Sequence, residues 1–189
     1  MVTVRMEASA AIAAMKKVTD NLPKQMAIVS MKAARTGKSA IAKEVSKKIV
    51  VTQATVKRKI KIKKVGLTGA EVVLDDAQRI NLRHFKARQT NSGVSYKIDR
   101  GGKRKKAAGA FQGPRPGLMS RRWKGMPFIR TNLGDNRSKI RPLGWGPSPY
   151  GVMTKNKKVA VVEMIIREEL KKQLAERLRY LTLKKSGTI

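Results

Sequence analysis

A chain that carries 44 Lys and Arg against 12 Asp and Glu has to fold against its own charge. The formal excess of +32 is spread over only 189 residues. Like charges at that density destabilise a compact monomer and favour one that meets a polyanion, acidic protein partners, or both. Apolar residues make up 41% of the chain and aromatic ones only 4%, so a core has to come from Val, Ile, Leu, Met and Ala. The length suits one small core with arms, and we expect residues 1–189 to form a single domain.

Cysteine is absent, which removes disulfides, thiolate metal sites and cysteine nucleophiles. No uninterrupted apolar run approaches the ~18–20 residues that a membrane helix needs. The first residues lack a basic segment followed by a dense apolar block, so no signal peptide and no membrane association are expected.

The apolar pattern changes period along the chain. Residues 2–5 read as a short strand and Glu7 to Val18 as an Ala-rich helix. Asp20 or Asn21 can cap a second helix that restarts at Pro23, a residue tolerated in a first helical turn. From Lys24 to about Ile49, Ala27, Met31, Ala34, Ile41, Val45 and Ile49 fall on one helical stripe. Gly37 interrupts it, at about 1 kcal/mol relative to Ala, and predicts a kink or a close neighbour. Thr52 caps a short helix with Val56 and Ile60 on one side. Lys57 to Lys64 then turns into an alternating, lysine-rich edge strand.

Period two follows. Ala70 to Leu74 reads as a strand. Ile80 and Leu82 alternate with Arg79, Asn81 and Arg83. Val94, Tyr96 and Ile98 alternate with Ser95, Lys97 and Asp99, after a turn at Asn91-Ser92-Gly93. Residues 101–106 read as a basic loop, Ala108 to Gln112 and Met126 to Thr131 as strands, with Pro127 pointing to an edge. Residues 100–125 and 132–151 are expected to be extended loops or arms that contact neighbours. Val159 to Leu183 is an amphipathic helix with Val162, Ile166, Leu170, Leu174, Leu178 and Leu181 on its apolar face. Helices, then strands, then a helix make an α+β fold: long N-terminal helices, a small central antiparallel sheet with long basic loops, and a C-terminal amphipathic helix.

Catalytic chemistry finds little purchase. Gly37-Lys38-Ser39 ends like a phosphate-binding loop, but Lys32 stands where that motif needs its first Gly, and the stretch is helical. His84 is the one histidine, and beside Arg83, Phe85 and Lys86 it has no obvious partner and reads as structural or surface. Asp75-Asp76 lacks a third ligand and reads as a turn or a salt bridge. No nucleophile, base and orienting group come together, so we expect no enzyme, no cofactor and no metal.

The informative signal is the basic clusters. Lys57, Arg58, Lys59, Lys61, Lys63 and Lys64 form one, Arg83, Lys86 and Arg88 a second, and Arg100, Lys103, Arg104, Lys105 and Lys106 a third. No acid lies between Glu44 and Glu71. Such clusters contact phosphates without reading sequence, or they dock onto acidic neighbours. Few aromatics interleave with them, so base stacking has no footing. Arg115, Arg121, Arg122, Trp123 and Trp145 are candidate contacts between subunits.

One stretch resembles a known family. The run Arg79-Ile80-Asn81-Leu82-Arg83-His84-Phe85-Lys86-Ala87-Arg88-Gln89-Thr90, followed by Gly93 to Ile98, Gly109-Ala110-Phe111 and Phe128-Ile129-Arg130, is similar to the prophage minor tail protein Z family. Val51 to Ile60 and the flanking helices fit the same order, so the likeness spans roughly residues 24–183. The resemblance implies a virion protein of a tailed phage, a tail-completion or neck component made in the host cytoplasm. It also implies an α+β subunit in a homo-oligomeric ring, expected to be hexameric, among other tail and neck proteins. Double-stranded DNA would pass through the lumen and be contacted without sequence preference. A reading from a different class is a sequence-nonspecific nucleic-acid-binding protein of ribosome-associated or nucleoid type.

Overall fold

A computed structural model describes residues 13, 16, 21–113, 125–131 and 139–187. The strand expected at residues 2–5, the helix expected before residue 19 as a whole, and Arg115, Arg121, Arg122 and Trp123 lie outside the described residues. The fold is α+β, with long helices at both ends of the described chain and small antiparallel sheets between them.

Helix α1 spans Leu22–Lys48 and helix α4 spans Val159–Lys185, 27 residues each. They pack antiparallel. Gly37 of α1 lies under Ile166, and Arg177 near the far end of α4 donates to Gln25 Oε1 at 2.6 Å. A Cβ on Gly37 would sit 2.5 Å from Ile166 Cγ1 and Cδ1. The glycine that weakens the helix on propensity is therefore where a close neighbour enters it. Helix α1 continues unbroken through Gly37-Lys38-Ser39, so that triplet is helix and not a phosphate loop.

The apolar stripe of α1 serves two partners. Its first half buries Met26, Val29 and Ala33 against Leu170, Leu174 and Leu181 of α4. Its second half buries Ala34, Ile41, Ala42 and Val45 in the main core with Val56, Ile60, Val72, Phe85, Met153 and Ile166. Ala27 and Met31, expected on the stripe, are half-buried at its flank, while Met26 and Val29 take the fully buried positions.

Helix α2 is short, Gln53–Arg58, and Thr52 Oγ1 accepts the Thr55 N–H at its start. Strands β1 (Lys61–Val65) and β2 (Gly69–Val73) form a hairpin whose β2 face rests on α1. Ser30 Oγ donates to the Thr68 carbonyl at 2.8 Å and ties the tip down. As expected, β1 is an exposed, lysine-rich edge.

The remaining strands make two further sheets. Strands β3 (Arg88–Thr90), β4 (Gly93–Tyr96) and β5 (Lys105–Ala108) form one, and β6 (Ala110–Gln112), β7 (Pro127–Thr131) and β8 (Lys139–Pro142) the other. Helix α3, Pro149–Lys155, leads into α4. The stretches expected as arms thus contain β5, β6, β8 and the start of α3 where they are described.

Two strand readings change. Ile80 to Arg83 is not a strand: Asn81 Oδ1 accepts the Arg83 N–H at 2.9 Å and bends residues 82–84 into a 3-10 turn. Asx side chains compete with ladder hydrogen bonds in this way. Pro127 is on the central strand of its sheet and not on an edge. It is tolerated there as the first residue of β7, where a missing N–H costs no ladder bond.

Candidate nucleic-acid interface

The adjacent acids Asp75 and Asp76 are occupied in holding the fold. Asp75 Oδ1 accepts the Ala77 N–H at 2.9 Å, which makes a turn. Asp76 Oδ1 accepts the Ser148 hydroxyl, and Ser148 Oγ in turn accepts the Gly151 N–H at 3.0 Å and caps α3. Asp75-Asp76 is thus the clasp between the β2 exit and α3. Among the described residues no group of three or more His, Asp or Glu side chains is placed to hold a metal ion.

Several cations are also structural. Arg100 Nε donates to the Ser46 carbonyl at 2.6 Å, and the Arg100 N–H to the Lys48 carbonyl at 2.9 Å. A guanidinium at the C-terminus of α1 satisfies orphan carbonyls and opposes the negative end of the helix dipole. Arg104 Nε donates to Ser95 Oγ at 2.8 Å, and its Nη2 reaches the carbonyls of Lys86 at 2.8 Å and Ser95 at 3.0 Å. One guanidinium therefore joins the loop before β3 to the middle of the β3–β4–β5 sheet.

Strand register decides which other cations share a face. Arg88 pairs with Ser95 and Ser95 with Lys106, so these three side chains stand in one row across the sheet. Side chains directly opposite in antiparallel pairs lie on the same face. Arg104 reaches onto this face through the Ser95 hydroxyl. The other face carries Val94, fully buried, and Tyr96, packed against the core. Lys105 lies opposite Tyr96 and belongs to that inner side at the sheet's edge, away from Lys106.

The first cluster meets the second at His84. Burial and then the fields of Arg83, Arg58 and Lys59 hold the His84 pKa below its ordinary value. The end of α2 is therefore within electrostatic reach of the 3-10 turn. Arg83 Nε donates to His84 Nε2 at 3.2 Å, a bond that requires the neutral imidazole. Register and the Arg104 bonds thus gather Arg88, Arg104 and Lys106 on one sheet face, and the fields of Arg58, Lys59 and Arg83 reach the neighbouring turn at His84. Lys57, half-buried, sits one residue back on α2, and Lys103 is exposed on the loop before β5.

The structure leaves other candidates elsewhere. Lys61, Lys63 and Lys64 are exposed on β1, where Lys63 faces Glu71 across the ladder. Trp145 is 54% exposed and its backbone bridges to Asn81. Sequence reasoning missed Ser95, the acceptor that fixes Arg104; its outward place in the Val94–Ile98 alternation was the available signal.

His84 gives a pH dependence whose sign follows from its lowered pKa. As pH falls through the ordinary histidine value near ~6.5, the unfolded chain binds a proton before the folded one. Folded stability therefore drops over that window, and the loss stops growing below the folded pKa. Glu44, held low mainly by the hydrogen bond from Lys47, loses its contribution only at more acid pH. Urea midpoints at about pH 7.5 and about pH 5.5 should fall for the wild type and fall less for His84→Gln. An equal fall in both would refute the assignment to His84.

Comparison with known proteins finds no matching family model, no matching curated sequence and no matching solved structure. Among the described residues no helix is long and apolar enough to cross a membrane.

Proposed function

We propose that this chain is a structural virion protein of a tailed phage, a minor tail or tail-completion subunit at the head–tail junction. In this reading identical copies close into a ring, with sixfold symmetry, around the path of double-stranded DNA. The ring sits among other tail and neck proteins and is assembled in the host cytoplasm. The observation that carries the reading is the surface on which strand register sets Arg88 and Lys106 in one row of β3–β4–β5, beside the turn at His84 that the fields of Arg58, Lys59 and Arg83 reach. The residues of the 79–98 resemblance build the centre of that surface, which is why likeness and geometry point the same way. Phosphate contacts of this kind position a duplex without reading bases, as a DNA passage requires. The chain acts as a scaffold and not as an enzyme.

Closed rings arise from head-to-tail contacts between unlike patches. A particle reconstruction should therefore contain six touching copies around the DNA axis. A single copy, or copies that never touch, ends this reading. The same cationic surface also favours a second one, a sequence-nonspecific nucleic-acid-binding protein that works without neighbours. That protein would bind duplex as a monomer, with steep salt dependence, and would be missing from purified particles.

A further inference from the structure

We infer that the phosphodiester backbone of duplex DNA seats on the saddle made by Arg58, Lys59, Arg83, Arg88 and Lys106, with Arg104 as its internal strut and the β1 lysines outside it. The inference rests on the reading of the chain as a DNA-path protein and names the side chains that face the duplex.

Three observations favour the saddle over the other basic segments. The first is continuity. The Lys97 N–H donates to the Phe85 carbonyl at 2.9 Å and the Arg104 guanidinium to the Lys86 carbonyl at 2.8 Å, which ties the 3-10 turn to the β3–β4–β5 face, and the fields of Arg58 and Lys59 reach the same turn at His84. The second is the charge of the strands themselves. No acid lies between Asp76 and Asp99, nor between Asp99 and Asp135, so the sheet face is cationic and neutral only. On β1, by contrast, Lys63 already faces Glu71, and the hairpin ends in Leu67, 81% exposed. The third is spacing. Arg88 and Lys106 flank Ser95 from adjacent strands. Their backbones are therefore about 10 Å apart, roughly the axial rise of three base pairs of duplex.

The division of labour follows from hydrogen bonding. Arg104 spends its donors on Ser95 and on the Lys86 carbonyl, so it shapes the surface. Arg88 and Lys106 stand side by side across Ser95 without an acid between them. Two strands apart, they repel only weakly through salt water, and together they offer a row of positive charge to a row of phosphates. With no aromatic residue in the cationic row, contact is confined to the backbone and is independent of sequence.

The test uses the full chain and a short fluorescent duplex of mixed sequence, titrated across a range of salt. Arg88→Gln combined with Lys106→Gln should weaken binding about 50-fold near 0.1 M salt and flatten the salt slope by about two. Lys61→Gln combined with Lys64→Gln should leave the slope within error of wild type. Circular dichroism of both variants confirms that they fold. His84 supplies an independent reading, because its single imidazole signal titrates alone. Bound phosphate beside Arg58, Lys59 and Arg83 offsets their field, so duplex should raise the His84 pKa, and the change should shrink in the Arg88/Lys106 variant. If the β1 variant loses the contacts and the sheet variant does not, the saddle is wrong while DNA contact stands. If the wild-type chain fails to bind duplex even at low salt, both the saddle and the DNA-path reading fall.

Discussion

Gly93→Ala should unfold the β3–β4–β5 sheet. A Cβ at this position would lie 2.0 Å from the Ala107 carbonyl oxygen and 2.9 Å from the carbonyl carbon. Both are backbone atoms of the partner strand, so no side chain can swing aside. The residue also sits at φ +144, a region that L side chains rarely adopt. Such a backbone position costs about 1–3 kcal/mol by itself, and separating β4 from β5 adds to it. The expected loss is about 3–5 kcal/mol, within the range reserved for a broken structural element. Gly101→Ala is the control, since nothing lies within 4 Å of a Cβ there, and it should change stability by less than about 0.5 kcal/mol. Urea unfolding of the two variants decides the matter. Equal midpoints would mean that the β4–β5 register is not the one described.

The same ladder explains what the sequence disclosed about the fold and what it withheld. Both long helices were legible because their apolar residues repeat at helical spacing over many turns, and tertiary packing confirmed that period. Gly37 announced a close neighbour, though only the structure names Ile166 as that neighbour. The Ile80–Arg83 alternation misled, because period two records where side chains point and not what the backbone bonds to. There the Asn81 side chain captured the Arg83 N–H. Lys105 to Gln112 reads as one loop and one strand. Gly109, at φ +67, turns the chain between β5 and β6 and sends them into different sheets.

The site was legible as charge and not as roles. Density alone marks Arg88, Arg100, Arg104 and Lys106 equally. Arg100 caps a helix 54 residues upstream of it, at Ser46, and Arg104 reaches 18 residues back to Lys86. Nothing local in the sequence distinguishes a cation bound to a distant carbonyl from one that faces solvent. Register supplied the distinction, because it places Lys106 in the row of Arg88 and puts Lys105 on the other side.

Phe85 is the packing residue on which the saddle depends. Among the described residues it is the largest fully buried side chain, at 0% exposure. Its N–H donates to the Leu82 carbonyl at 3.0 Å and closes the 3-10 turn that carries Arg83 and His84. Its carbonyl accepts the Lys97 N–H at 2.9 Å and holds that turn to the end of β4. The ring lies flush against Gly146, where a Cβ would come within 2.3 Å of Cε2. That wall is backbone and cannot collapse far into a vacated space. Phe85→Ala should therefore cost about 3–5 kcal/mol, as expected for an aromatic truncation that leaves a cavity. Phe85→Leu refills most of the volume and should cost about 1–2 kcal/mol. The functional consequence separates packing from charge. At temperatures where it is folded, Phe85→Leu should retain the wild-type salt slope for duplex, because every cation of the saddle is present. It should nonetheless shift the His84 imidazole signal, because the turn beneath it has moved. A Phe85→Ala variant that loses less than about 1 kcal/mol would show that the turn is held to the sheet by its hydrogen bonds and by Arg104, and not by the buried ring.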